Sequence, residues 1–300
     1  MFKQAVPLLR KAKKGRYALP SFNTSNLEVS KAIFQAAEKT KSPLMIQITE
    51  STLRYAGLEN IFGIVQELER NAKIPVCVHL DHGRHLPLIK SCINMGFKSV
   101  MVDASKYSLK KNIAITKKVV SMAKRKGCSV EAELGALKRL GPTNSHLTDP
   151  KEAKFFVEKT NCDSLAVAIG TSHGAFKFKG KSKLDFSRLK EINELVSVPL
   201  VLHGASSVPK ELVQKCNRFG AKISKAKGVS ESDLKKVIKL GVQKINIDTD
   251  LRLSFTAGMR EFYAKNPKDF DPRNVLLPAQ DLTQKVCEHK LILFGAKGKA

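Results

Sequence analysis

VHLDHG, residues 78–83, ends the apolar run VCVHLD (76–81) by crowding His79, Asp81 and His82 into four positions, in a chain with only seven histidines. A buried imidazole or carboxylate is costly unless something pairs with it or binds it, so the run must finish at a built site. As a segment of about six residues rich in Val and Leu, it has the pattern of a strand buried on both faces. Seven more runs share the pattern: ALPSFN (18–23), LMIQIT (44–49), SVMVDA (99–104), SVEAEL (129–134), SLAVAI (164–169), PLVLHG (199–204) and KINIDT (244–249).

Amphipathic segments lie between the runs. Residues 26–40, 88–95, 112–123 and 149–159 carry apolar side chains at helical spacing, and the last opens with T-D-P-K-E, a capping residue followed by Pro and an acid. A further helix is expected over 233–240, with 205–240 as the longest connection, and the part from Leu251 onward reads as helices flanking KNPKDFDPRN before the short run LILFGAKGKA. Eight strands alternating with helices, and no G-x-G-x-x-G after the first, predict an α/β fold. The expected architecture is one (β/α)8 TIM barrel with extra C-terminal helices, a single catalytic domain over residues 1–300.

Composition narrows the function classes. Six scattered cysteines without a C-x-x-C pair, no apolar segment near the roughly 20 residues of a membrane span, and no apolar block behind Met1–Arg16 read as a cytoplasmic protein with reduced core thiols. The net charge of +26 permits nucleic-acid binding. However, the basic residues run from Lys3 to Lys299 without a dense block and tryptophan is absent, so nucleic acid is not expected as a partner and a lysine-rich surface attracting small anionic substrates is.

Active sites of such barrels gather at the C-terminal ends of the strands. His82, His173 and His203 follow runs three, six and seven, where neutral imidazoles can hold a catalytic divalent ion, zinc above all, with Glu133 as an additional or alternating ligand. Asn23, Thr49, Asp103 and Asn246 end other runs. His79, on the inward side with Asp81, is expected to support the site from below, and His85, His146 and His289 to be bystanders. GTSHG (170–174), HGASS (203–207) and NIDTD (246–250) supply glycines and hydroxyls around the last loops, the makings of a phosphate cradle. A metal beside such a cradle, with Asp81 next to a ligand, suggests proton abstraction near a carbonyl.

VHLDHG, SVEAELG, LAVAIGTSHGAFKFKG, PLVLHGAS, KINIDTDLR and FDPR together resemble the class II, metal-dependent fructose-1,6-bisphosphate aldolases over nearly the whole chain, and several pieces also resemble tagatose-bisphosphate aldolases. The resemblance implies a lyase that reversibly cleaves fructose 1,6-bisphosphate to dihydroxyacetone phosphate and glyceraldehyde 3-phosphate. It makes His82, His173 and His203 the zinc ligands, Glu133 an approaching ligand and Asp81 the proton-transfer residue. Gly174, Gly204, Ser206, Asp248 and Thr249 fall on the phosphate site, which in the family also involves a monovalent cation (Na+ or K+). Asn246 holds the enediolate, Asn23 and Thr49 line the mouth, and Arg273 receives the far phosphate from a neighbouring subunit, implying a homodimer or homotetramer.

The sequence departs from the family at ELGALKRLGPTNSHLTDP (133–150), where relatives carry a glutamate in a Gly-rich loop: no acid stands between Glu133 and Asp149, and Lys138 and Arg139 are basic. Three readings stay open at this point: an active fructose- or tagatose-bisphosphate aldolase, a low-activity or repurposed relative, and a non-catalytic basic binding protein.

Overall fold

The computed structural model describes residues 1–135, 147–172, 184–224 and 226–300. Its strands are β1 Leu19–Asn23, β2 Leu44–Thr49, β3 Val76–Gly83, β4 Ser99–Val102, β5 Ser129–Leu134, β6 Ser164–Val167, β7 Leu200–Leu202 and β8 Val242–Ile247. Each runs parallel to the next, and β8 returns beside β1, with Leu19 opposite Lys244, so the sheet closes as a (β/α)8 TIM barrel. The helices are α1 Ala5–Gly15, α2 Leu27–Thr40, α3 Glu50–Ala56, α4 Leu58–Arg70, α5 Leu86–Met95, α6 Leu109–Lys124, α7 Pro150–Thr160, α8 Phe186–Leu195, α9 Lys210–Arg218, α10 Glu231–Lys239, α11 Thr249–Lys265 and α12 Pro272–Leu293. None of them is long and apolar enough to cross a membrane.

The eight apolar runs became the eight strands. Helix starts follow local chemistry: Asn26 accepts the N–H of Val29 at 3.0 Å to open α2, and Asp149 accepts that of Glu152 at 2.9 Å to open α7. The connection expected over 205–240 is interrupted by α9, whose apolar signal is thin because only Leu212 and Cys216, four apart, are buried among charged neighbours. In α1, Ala5, Leu8, Leu9 and Ala12 turn inward while lysines cover the outside. The N–H of Lys3, just before α1, donates to Val76 O at the foot of β3 at 2.7 Å. At the other end of the chain, α11 and α12 cross so closely that a Cβ on Gly258 would lie 2.6 Å from Ala279 Cα. The run LIL continues α12, and beyond it Ala18 N donates to Phe294 O, Gly298 N to Thr40 O and Ala300 N to Lys41 O, at 3.0–3.1 Å.

Period-two alternation turns Val76, Val78 and Leu80 to the surrounding helices and His79 and Asp81 to the barrel interior. That interior is more polar than the usual aliphatic filling. Lys244 and Glu131, 0% and 1% exposed, meet at 2.8 Å across it, and His79 lies beside them with Nε2 3.4 Å from Lys244 Nζ and Nδ1 2.7 Å from Ser99 Oγ. A layer higher, Ser21 donates to Gln47 at 2.6 Å and Gln47 to Asn23 at 2.6 Å.

β3 runs two residues past Asp81, and its pairing with β4 shifts between Leu80 and Gly83. Such a bulge re-aims a side chain. Here His82 takes a φ of 51°, and Gly83 fits only without a Cβ, which would sit 2.5 Å from Met101 O and 2.8 Å from Ile89 Cγ1.

Gly83→Ala is therefore expected to destabilise the protein by about 1–3 kcal/mol in urea unfolding, because backbone must move to admit the methyl group; an unchanged midpoint would refute the bulge packing. Lys244→Met leaves Glu131 buried without its partner and should cost about 3–5 kcal/mol, much of it recovered in Lys244→Met/Glu131→Met, where no charge is left unpaired. Equal losses in the single and double variants would contradict that assignment.

Candidate active site

Asp81 sits inside the mouth between strands that each send it a donor: Asn23 Nδ2 of β1 at 3.0 Å and Asn246 Nδ2 of β8 at 3.1 Å. Burial on its own pushes this carboxyl up. His82, His203, Lys244 and the Asn23 hydrogen bond outweigh it and hold Asp81 at about 2, so the group is a carboxylate at neutral pH. Among the described residues, Asn246 Oδ1 is buried with no hydrogen-bond partner, so it can accept a donor at the mouth.

The bulge brings His82 back to the mouth. Its Nδ1 lies 3.1 Å from Asp103 Oδ2 and its Nε2 lies 3.2 Å from His203 Nδ1. Burial opposes charge on His82, but Asp81, Asp103 and Glu133 together push it up to about 9. Asp103 is itself clamped by Arg84 at 2.8 and 2.6 Å and by the Ser105 hydroxyl at 2.8 Å, and despite its burial these partners and His82 keep its carboxyl far below the usual range. Glu50 fixes the turn after β3 by accepting the N–H groups of Arg84 and His85 at 2.6 and 3.0 Å.

His203 is oriented from below. Its Nε2 lies 2.7 Å from Glu131 Oε1, the carboxylate that also holds Lys244, so Nδ1 is the nitrogen presented to the mouth. Burial pushes His203 down despite Glu131, and the lysine and histidine neighbours override burial to hold Glu131 low. Glu133 points at the same spot, with Oε2 3.7 Å from His82 Nδ1 and 3.8 Å from His203 Nδ1. That oxygen is buried without a hydrogen bond among the described residues, and burial pushes the carboxyl up to about 8.

Among the described residues, two sets each bring three possible ligand atoms within 4.8 Å of one another: Asp81, His82 and His203, and His82, Asp103 and Glu133. Two imidazole nitrogens face to face beside the buried Glu133 carboxylate suit a divalent metal of the zinc type. His173 and Gly174 lie outside the described residues, as do Lys138 and Arg139, so two of the three histidines expected from the sequence are seen together.

Between the ends of β7 and β8 the polar loops converge. Gly204 adopts a φ of 61°, and a Cβ there would meet Ser172 O at 2.6 Å. Ser206 Oγ accepts the N–H of Asp248 at 3.3 Å, and Thr249 follows as the first residue of α11. An adjoining cavity of about 320 Å³ is lined by Asn23, Thr49, Thr52, Asp248 and Arg252 among others. Thr49 also caps α3, accepting the N–H of Thr52 at 3.1 Å.

Arg273 is not brought to the mouth by its own chain: its guanidinium is 85% exposed and pairs with Asp271 at 2.7 Å. His85 and His289, expected as bystanders, meet Glu50 Oε2 at 2.7 Å and Glu231 at 2.6 Å. Sequence reasoning listed Asp103 among the strand ends without a role, and missed Arg84, Glu131 and Lys244. The signal was present: Glu131 and Glu133 alternate in one strand, and Lys244 is a charged residue in another.

Residues 3–299 match the family described as fructose-bisphosphate aldolase class-II. A fructose-bisphosphate aldolase from Thermus caldophilus is 45% identical over 309 aligned residues covering 100% of both chains. Another from Giardia intestinalis is 41% identical over 98% of this chain and 93% of its own. Among solved structures, the YdjI aldolase from Escherichia coli K12 superposes over 100% of both chains with a TM-score of 0.84 at 33% identity. The geometry of the mouth and these likenesses meet in one conclusion: the chain belongs to the class II fructose-bisphosphate aldolase family.

Proposed function

We propose that the protein is a cytoplasmic, zinc-dependent ketose-bisphosphate aldolase, a single catalytic domain that reversibly cleaves fructose 1,6-bisphosphate to dihydroxyacetone phosphate and glyceraldehyde 3-phosphate. The observation that carries this reading is the Asp81 carboxylate, held by Asn23 and Asn246 beside the facing nitrogens of His82 and His203. Six free, buried thiols fit a reducing compartment.

His82 and His203, with His173 and with Glu133 approaching, would hold the divalent ion. When bound, the ion supplies Lewis-acid polarisation of the substrate carbonyl. Asp81 accepts the C4 hydroxyl proton as the C3–C4 bond breaks, and the bonding pair stays on the dihydroxyacetone half. Asn246 Oδ1 accepts a hydroxyl hydrogen from that half. Gly174, Gly204, Ser206, Asp248 and Thr249, with a monovalent cation (Na+ or K+), take its phosphate, while Asn23 and Thr49 line the remaining mouth. Because no acid stands between Glu133 and Asp149, the proton that completes the dihydroxyacetone half comes from water or from a group outside that loop. The same gap favours, as a second reading, a low-activity or repurposed aldolase, while the motifs shared with tagatose-bisphosphate aldolases leave that sugar as the alternative substrate.

Cleavage of fructose and tagatose bisphosphates, followed by coupled assay, should stop on treatment with EDTA and return with Zn2+. Asp81→Asn should lower kcat by about 10²- to 10⁴-fold with metal content unchanged. Activity surviving both treatments would sink the mechanism, and cleavage of neither sugar by zinc-loaded protein would favour a repurposed role. Arg273, exposed in the single chain, is assigned to the far phosphate of a neighbouring subunit. Arg273→Ala should raise KM with little change in kcat, and light scattering should report a dimer or tetramer; a fully active monomer would contradict that assignment.

A further inference from the structure

The loop 204–208, which supplies Gly204 and Ser206, is held in an unusual shape from outside the barrel. Val208, a β-branched residue, has a φ of 50°, a conformation that persists only where its surroundings enforce it. The enforcing group is Asp250, in the first turn of α11: Oδ1 accepts the N–H of Val208 at 2.7 Å, and Oδ2 accepts the N–H and the hydroxyl of Ser207 at 3.0 and 3.2 Å. Asp250 is met in turn by Lys290, near the end of α12, whose Nζ lies 3.3 Å away and donates to Ser207 Oγ at 2.6 Å. Both charged side chains are 0% exposed, and Glu231 lies 3.8 Å beyond.

The opposite side of the loop is equally fixed. Val229 N donates to Ser206 O at 3.1 Å, and a Cβ on Gly228 would stand 2.2 Å from that oxygen. The Ser206 carbonyl is thus turned away from the mouth while its hydroxyl meets the N–H of Asp248 at 3.3 Å.

A buried ion pair is poor value as mere cohesion, because apolar side chains of similar size stabilise as well or better. What distinguishes this pair is its direction, since three of its hydrogen bonds and the Lys290 donation all end on Ser207 and Val208. We propose that Lys290 is a positioning residue for phosphate binding: through Asp250 and Ser207 it holds the loop in the one shape in which Gly204 and Ser206 receive the phosphate of the substrate. This rests on the function proposed above for the same site.

The test compares full-length, zinc-loaded Lys290→Met, Ser207→Ala and Lys290→Met/Asp250→Asn with the unaltered protein. Inorganic phosphate is the probe, its dissociation constant read by calorimetry alongside KM, kcat and Tm. Loss of one charge-assisted hydrogen bond to the loop should weaken phosphate binding and raise KM about ten-fold, with kcat kept near its original value. The double variant leaves no unpaired carboxylate and should regain Tm without regaining phosphate affinity; Ser207→Ala, which removes only the hydroxyl, reports the same loss if Lys290→Met does not fold. Unchanged phosphate affinity and KM in Ser207→Ala and the double variant, whatever happens to Tm, would overturn the proposal, as would an unaltered protein that binds no phosphate. Lys290-dependent phosphate binding by a protein that cleaves neither sugar would support the proposal while overturning the functional reading.

Discussion

A closed barrel of parallel strands has neither an edge nor room for bulk water, so every polar side chain turned inward must find its partner there. In this chain the Lys244–Glu131 pair meets that demand at the base of the site. Its consequences climb upward: Glu131 also orients His203, His203 faces His82, and the carboxylates around His82 are placed by strands whose register the closed sheet fixes. The candidate site is thus the top of a polar column that begins at the Lys244–Glu131 pair.

The bulge in β3 explains how two neighbouring residues reach the same mouth. Alternation sends Asp81 inward and would send His82 out to the helices. The bulge before Gly83 breaks the alternation once, and both side chains reach the mouth. The bulge closes only because Gly83, under the Met101 carbonyl, carries no Cβ.

Much of this was legible in the sequence because burial on both faces writes strands as unbroken apolar runs, and because strand ends collect function in this architecture. All eight strands and the grouping of Asp81, His82, His203 and Glu133 followed from those two regularities. Helices such as α1 and α9 did not, since a few inward residues among many lysines give a weak period. Lys244 escaped for a different reason: a lysine in a strand reads as a surface residue, and only the fold reveals that its partner stands across the barrel. Arg273, expected from the resemblance to meet the far phosphate, stands in the first turn of α12, exposed and paired with Asp271. The candidate phosphate loop after β7 was legible in its glycine and serines but not in its support, which comes from Asp250 and Lys290.

The segment after α12 is tied back to the first third of the chain, through Phe294 to Ala18, Gly298 to Thr40 and Ala300 to Lys41. β1 must also wait for β8, more than two hundred positions later, before its outer edge is covered. Contacts of such sequence separation form slowly, since the entropy of closing the loop is lost before the pairing is gained. During synthesis the N-terminal strands therefore stand with one edge open until almost the whole chain has left the ribosome, a window in which chaperone capture or pairing with another nascent chain competes with closure.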